Sequence, residues 1–139
     1  MVTEKYQKML ESFNRAIIAY NKKDLFTSPE GYEEDLIVGL RSAVIQSFKY
    51  CTDHLWKYMK LYLEQRKNVN METSSPSDVV RHAMRIKLVN EAEAEAIIDM
   101  IKIRNQTSHI YKEEFADFTN KKAPDHLHLM QEILLRIKS

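Results

Sequence analysis

Two glycines, Gly31 and Gly39, are all that 139 residues contain. Phosphate-cradling loops need several, because glycine lets consecutive backbone N–H groups close on the anion, so neither a P-loop nor a dinucleotide fingerprint is present. The chain therefore carries no nucleotide-binding loop of its own. A single cysteine, Cys51, excludes an intramolecular disulfide, and a reducing cytoplasm is the expected setting. No apolar run approaches the ~20 residues that span a bilayer, so no membrane association is expected. The opening MVTEKYQKMLESF runs straight into a charged amphipathic pattern and not into a signal peptide. Charge of one sign is also missing: 21 Lys and Arg face 20 Asp and Glu, for a net charge of +1. Proteins held to nucleic acid or membrane by bulk electrostatics are usually clearly basic.

What is present is helix-forming sequence of single-domain length, read as one domain over 1–139. Tyr6, Met9, Leu10, Phe13, Ile17 and Tyr20 recur at helical spacing and predict one amphipathic helix ending near Lys22–Lys23. LFTSPEG follows as a connector. From about Tyr32 to Arg66 no proline intervenes, and Leu36, Leu40, Val44, Phe48, Cys51, Leu55, Met59 and Leu63 form a nearly continuous stripe. An unbroken helix there would be roughly 50 Å long, more than one small core can cover, which points to a partner surface. After the polar stretch 68–77, Ser75 is placed as an N-cap with Pro76 at the first helical position. Asn90 with Glu93 three residues on resembles a capping box opening a fourth helix that runs past Arg104. Pro124 is expected to begin the last helix, through Leu127, Met130, Leu134 and Ile137. The expectation is an all-α, up-and-down bundle of about five helices with one long helix, dimerising through helices.

Chemistry-bearing residues are sparse. His126 and His128 point about 200° apart on a helix and cannot share an ion, while His54 and His82 stand alone, so no metal is expected. Cys51 lies on the apolar stripe, where a small buried hydrophobe is the expected role. Glu91, Glu93 and Glu95 read as a solvated, helix-starting acidic face. The segment 104–111, RNQTSHIY, is harder to explain by structure alone. One reading is a fraying helix end, with Arg104 and His109 favoured by the dipole. The other joins a permanent cation to a group titrating near neutrality, suited to a phosphodiester: guanidinium holds phosphate oxygens and imidazole moves the proton of a ribose 2′-hydroxyl. A five-residue step rotates about 140° on an ideal helix, so Arg104 and His109 of one chain diverge unless the helix is distorted or two protomers meet.

RNQTSHIY also resembles the R-N-x-x-S-H-x-Y motif of the nucleotidyltransferase substrate-binding proteins, a branch of the HEPN superfamily. GLRSAVIQSFKYCTDHLWKYMKLYL (39–63) is similar to that family's long helix, with Arg41, Gln46, Phe48, Asp53, Trp56 and Lys57 at matching places. SPSDVVRHAMRIKLV (75–89) resembles its S-P-x-x-V-x-R-x-A segment. Lys49, Tyr50 and Cys51 depart from the acidic-aromatic run that the family often carries before its Trp-Lys. The resemblance implies a homodimeric helical bundle acting as accessory subunit to a minimal nucleotidyltransferase, half of a toxin–antitoxin-type pair, with no cofactor of its own. It equally allows a metal-independent ribonuclease toxin cleaving RNA at a dimer cleft. It would make Arg104 and His109 catalytic, place Asn105 and Ser108 at the substrate, and give Tyr111 as the residue a nucleotidyltransferase adenylylates. Asp53, Trp56 and Lys57 would then contact the partner or the second protomer.

Overall fold

The computed structural model describes residues 3–23, 31, 33–71, 75–106 and 113–138, with backbone only at 33 and 113–116. Among these residues there are five helices and no strand: α1 (Glu4–Asn21), α2 (Glu33–Arg66), α3 (Pro76–Arg85), α4 (Glu91–Asn105) and α5 (Glu113–Lys138). The all-α bundle expected from the periodicity is thus the observed fold. The connector 25–30 and the motif residues 107–112 lie outside the described residues.

Residue pairs fix the directions of the helices. Tyr6 meets Tyr58 while Phe13 meets Phe48, so α1 runs antiparallel to α2. Arg41 with Asp117, Phe48 with His126 and Arg66 with the Ile137 carbonyl make α5 parallel to α2. Glu93 with Arg136 and Arg104 with Asp53 set α4 against both. Four helices therefore alternate up and down, and the short α3 fills the connection between α2 and α4. The helix α2 is the spine, touching all four others.

Tyr6, Leu10, Phe13 and Ile17 bury one face of α1. They pack on Phe48, Cys51, Leu55 and Met59 of α2, all at most 1% exposed. Two caps obey their local signals. The Ser75 hydroxyl accepts from Asp78 N–H while Asp78 accepts from Ser75 N–H, and Asn90 and Glu93 reciprocate at 2.8 and 2.9 Å. Helix ends are handled without glycine. Lys87 takes a left-handed φ of 64°, Leu88 N–H reaches Ala83 O and Lys87 N–H reaches Met84 O, closing α3 with a Schellman turn. Asn68, at φ 56°, turns the chain after α2.

One expected boundary is wrong. Pro124 does not begin the last helix but lies inside α5, which starts at Glu113. Proline deprives the Asn120 carbonyl of its helical donor and crowds it, at a cost of about 3 kcal/mol. The helix survives because the turn before it is buried: Thr119 and Ala123 are fully covered and Asn120 nearly so.

Glu93 also departs from the solvated role expected of it. Arg136, 43 residues away, grips its carboxylate with two 2.8 Å bonds and donates a third, of 3.1 Å, to Leu88 O. This fork ties the start of α4 to the end of α5 and holds the Glu93 carboxyl below its usual range. Arg136→Ala is expected to cost about 1–2 kcal/mol in thermal unfolding, because Glu93 and the Leu88 carbonyl lose their partner together. An unchanged melting temperature would show the pair fully screened by solvent.

Candidate functional site

The last turn of α4 carries Arg104 to the middle of α2. There its Nε donates to Asp53 Oδ1 at 2.6 Å and its Nη2 to Oδ2 at 3.0 Å. This is a bidentate fork, the strongest geometry a guanidinium makes with a carboxylate. Both side chains are 27% exposed, so the pair sits at the rim of the bundle. Hydrogen bonding to Asp53 raises the Arg104 pKa further and leaves the guanidinium a permanent cation.

Asp53, Trp56 and Lys57 share one face of α2, three and four residues apart. Trp56 is half-buried against the core, Lys57 is exposed, and its Nζ lies 5.9 Å from the indole centroid. Asn105 is exposed at the end of α4. Ser108, His109 and Tyr111 lie outside the described residues. The structure thus brings together Arg104 and Asp53, 51 residues apart in sequence, with the Trp56–Lys57 face beside them. Sequence reasoning grouped Asp53 with external contacts and missed its pairing with Arg104. It also missed the pairing of Arg41, whose guanidinium lies 3.4 Å from Asp117 near the start of α5. The one available signal was the place of Arg41 in the 39–63 segment.

Other chemistry is muted. Cys51 is 1% exposed and burial pushes its thiol up to about 12, so it is no nucleophile at neutral pH. Tyr6 donates to its carbonyl at 2.9 Å, which anchors α1 on α2. His54 Nδ1 lies 2.9 Å from Tyr50 O, one helical turn back. Among the described residues no three His, Cys, Asp or Glu side chains gather to hold an ion, and no helix is long and apolar enough to cross a membrane.

A five-helix bundle with a guanidinium fork at its rim is a general architecture, and comparison with known proteins narrows it. The family model described as nucleotidyltransferase substrate binding protein like matches residues 2–139. The chain belongs to that family. Comparison with curated proteins gives no match. Among solved structures, a Thermus thermophilus protein is 28% identical, with a TM-score of 0.67 over 91% of this chain and 99% of that one. A Haemophilus influenzae protein, whose structure is said to reveal the fold of a substrate-binding domain of a nucleotidyltransferase, aligns at 21% identity. It covers 98% of each chain with a TM-score of 0.80. A chain from a toxin–antitoxin solved with AMP-PNP aligns at 15% identity, over 95% of this chain and 96% of that one, with a TM-score of 0.67. The last two likenesses establish a shared fold. For this member of the nucleotidyltransferase substrate-binding family, the Arg104–Asp53 fork stands on the first residue of the RNQTSHIY string, in the last turn of α4.

Proposed function

We propose that this chain is the accessory, substrate-binding subunit of a minimal nucleotidyltransferase, acting as a homodimer and as half of a toxin–antitoxin-type HEPN pair in the cytoplasm. The observation that carries the reading is a substrate-binding family match along residues 2–139 of a chain with no glycine-rich nucleotide loop. The division of labour follows: the partner supplies the nucleotide site, and this chain supplies a helical surface and a cleft.

The helix α2 supports the contact side. Its 34 residues extend about 51 Å, and Leu36, Val38, Tyr50 and Leu61 stay 38–54% exposed. Leu36, Ala43 and Tyr50 stand seven residues apart with Leu40 and Leu61 on the neighbouring line, an apolar strip of the kind a second helix covers. Two copies meeting there would bring their Arg104 residues toward one shared site. Arg104 supports the ligand side, as a fork-shaped cation suited to phosphate, with Asn105 and Ser108 as neighbouring polar groups.

The second reading, a metal-independent ribonuclease, rests on Arg104 leading into His109. In it His109 takes the ribose 2′-hydroxyl proton, the 2′-oxygen bonds phosphorus, and the P–O5′ bond breaks with the 5′-oxygen taking a proton from water, while Arg104 neutralises the phosphate. The two readings share a switch. If the partner adenylylates Tyr111, the phenol oxygen bonds the α-phosphorus of ATP, releasing pyrophosphate and a proton.

The test is mass spectrometry of this protein after incubation with a minimal nucleotidyltransferase from the same genome and ATP, alongside size-exclusion chromatography. The expected result is a stable complex and one adenylate added to wild type and not to Tyr111→Phe. A stable complex without added mass keeps the subunit and removes the Tyr111 switch. A monomer that ignores the nucleotidyltransferase overturns the proposal.

A further inference from the structure

An arginine receives phosphate through two parallel N–H bonds, and a carboxylate fills the same fork with the same geometry. In this chain the fork is filled from within: Nε and Nη2 of Arg104 both donate to Asp53. The two residues come from different helices. At 27% exposure each, the carboxylate is neither sealed in the core nor loose in solvent. We propose that Asp53 is a specificity-determining residue of the Arg104 site, a tethered anion that occupies the Arg104 fork at rest and is displaced by a phosphate-bearing ligand. This rests on reading Arg104 as the phosphate-binding residue and deepens it.

The consequence is selectivity by charge and by number of contacts. With Asp53 in place the fork is neutral overall, so a weakly coordinating anion gains nothing by approaching it. A phosphate ester does better, because its oxygens match both N–H bonds and the attached nucleoside adds contacts of its own. Displacement is also provided for on α2. Lys57 follows Asp53 by four residues, in the acid-before-base order that favours an ion pair on a helix, so the released carboxylate has a cation to turn to. Lys57 is exposed beside the Trp56 ring, within reach of that face. The acid, the ring and the lysine, three residues the sequence places on one helical face, then serve one exchange.

The experiment titrates wild type, Asp53→Asn and Arg104→Ala with 5′-AMP and, separately, with an eight-nucleotide single-stranded RNA, by calorimetry at fixed salt. Asparagine keeps the size and one acceptor of Asp53 and removes its charge. The expected result is binding roughly three- to tenfold tighter in Asp53→Asn, with a steeper salt dependence, and lost in Arg104→Ala. In wild type the Arg104 Nε proton resonance is expected to shift as carboxylate gives way to phosphate. Tightening with AMP alone assigns the site to a nucleotide, and tightening with RNA alone assigns it to a phosphodiester chain. Circular dichroism confirms the fold of each variant, and Asp53→Ser repeats the test where Asp53→Asn fails to fold. Binding in Asp53→Asn that is unchanged, or weakened as far as in Arg104→Ala, overturns the exchange and makes Asp53 a positioning residue. Arg104→Ala binding as tightly as wild type instead overturns Arg104 as the phosphate site, and no binding by any variant overturns both.

Discussion

Phe48→Ala is expected to destabilise the protein by about 3–5 kcal/mol and to lower its melting temperature by about 10 °C or more. Phe48 is completely buried near the middle of α2 and is wedged between two other helices. On one side its ring meets Phe13 of α1 at 6.4 Å, and on the other it stacks on His126 of α5 at 5.1 Å and 30°. Truncation removes the transfer free energy of a benzyl group and leaves a cavity that three rigid helices cannot collapse to fill. Phe48→Leu keeps most of the volume and is expected to cost about 1 kcal/mol. Chemical denaturation of both variants checks the ordering. Equal losses would mean that the ring's shape, and not the filled volume, holds the three helices together.

The position of Phe48 was legible in the sequence because burial on a helix is periodic. Tyr6, Leu10, Phe13 and Ile17 on α1, and Phe48, Cys51, Leu55 and Met59 on α2, recur at three- and four-residue steps whatever the tertiary fold. The caps at Ser75 and Asn90 were legible for the same reason, since each needs only residues within one turn. Pro124 misled because its local rule is genuine: proline is at home in a first turn. What overrides the rule is burial of Thr119, Asn120 and Ala123 by helices far away in sequence, which no local window contains. Helix ends at Asn68 and Lys87 gave no glycine signal, because an asparagine and a lysine take the left-handed position there.

The site divides along the same line. Arg104 stood out because Arg-Asn-x-x-Ser-His-x-Tyr is a contiguous string. Its partner did not, since Asp53 is one of many acids and only the packing of α4 on α2 selects it. The Glu93–Arg136 fork is the same case, spanning 43 residues. Glu93 was readable as a cap and unreadable as an ion-pair partner. Long-range ion pairs therefore contribute the part of the site that composition and periodicity leave out, and here both forks clamp α4, one at each end. The Arg104 end is the one that belongs to the RNQTSHIY string.

Stability is expected to fall as the pH drops from about 6.5 to about 4, and His126 to be a leading cause. The imidazole is 9% exposed, stacked on Phe48, with Nδ1 buried and without a hydrogen-bond partner among the described residues. Burial, helped by nearby Lys122 and opposed by Asp125 and Asp99, lowers its pKa from 6.5 to about 4. The folded state therefore binds this proton less readily than the unfolded chain, so the contribution is full above the unfolded pKa and is lost as the pH falls toward the folded one. The difference of about 2.5 pH units corresponds to about 3 kcal/mol. His126→Gln keeps a polar side chain that does not titrate, so its acid limb is expected to be flatter than that of wild type by about that amount. Guanidinium melts at pH 7, 5.5 and 4 measure it, and losses from carboxylates such as Glu93 cancel between the two proteins. Parallel acid limbs would mean that water reaches Nδ1 and that the stack on Phe48 opens without cost. Phe48→Ala supplies the cross-check: with the ring gone, the His126 pKa should return toward 6.5 and the acid limb should flatten as it does in His126→Gln.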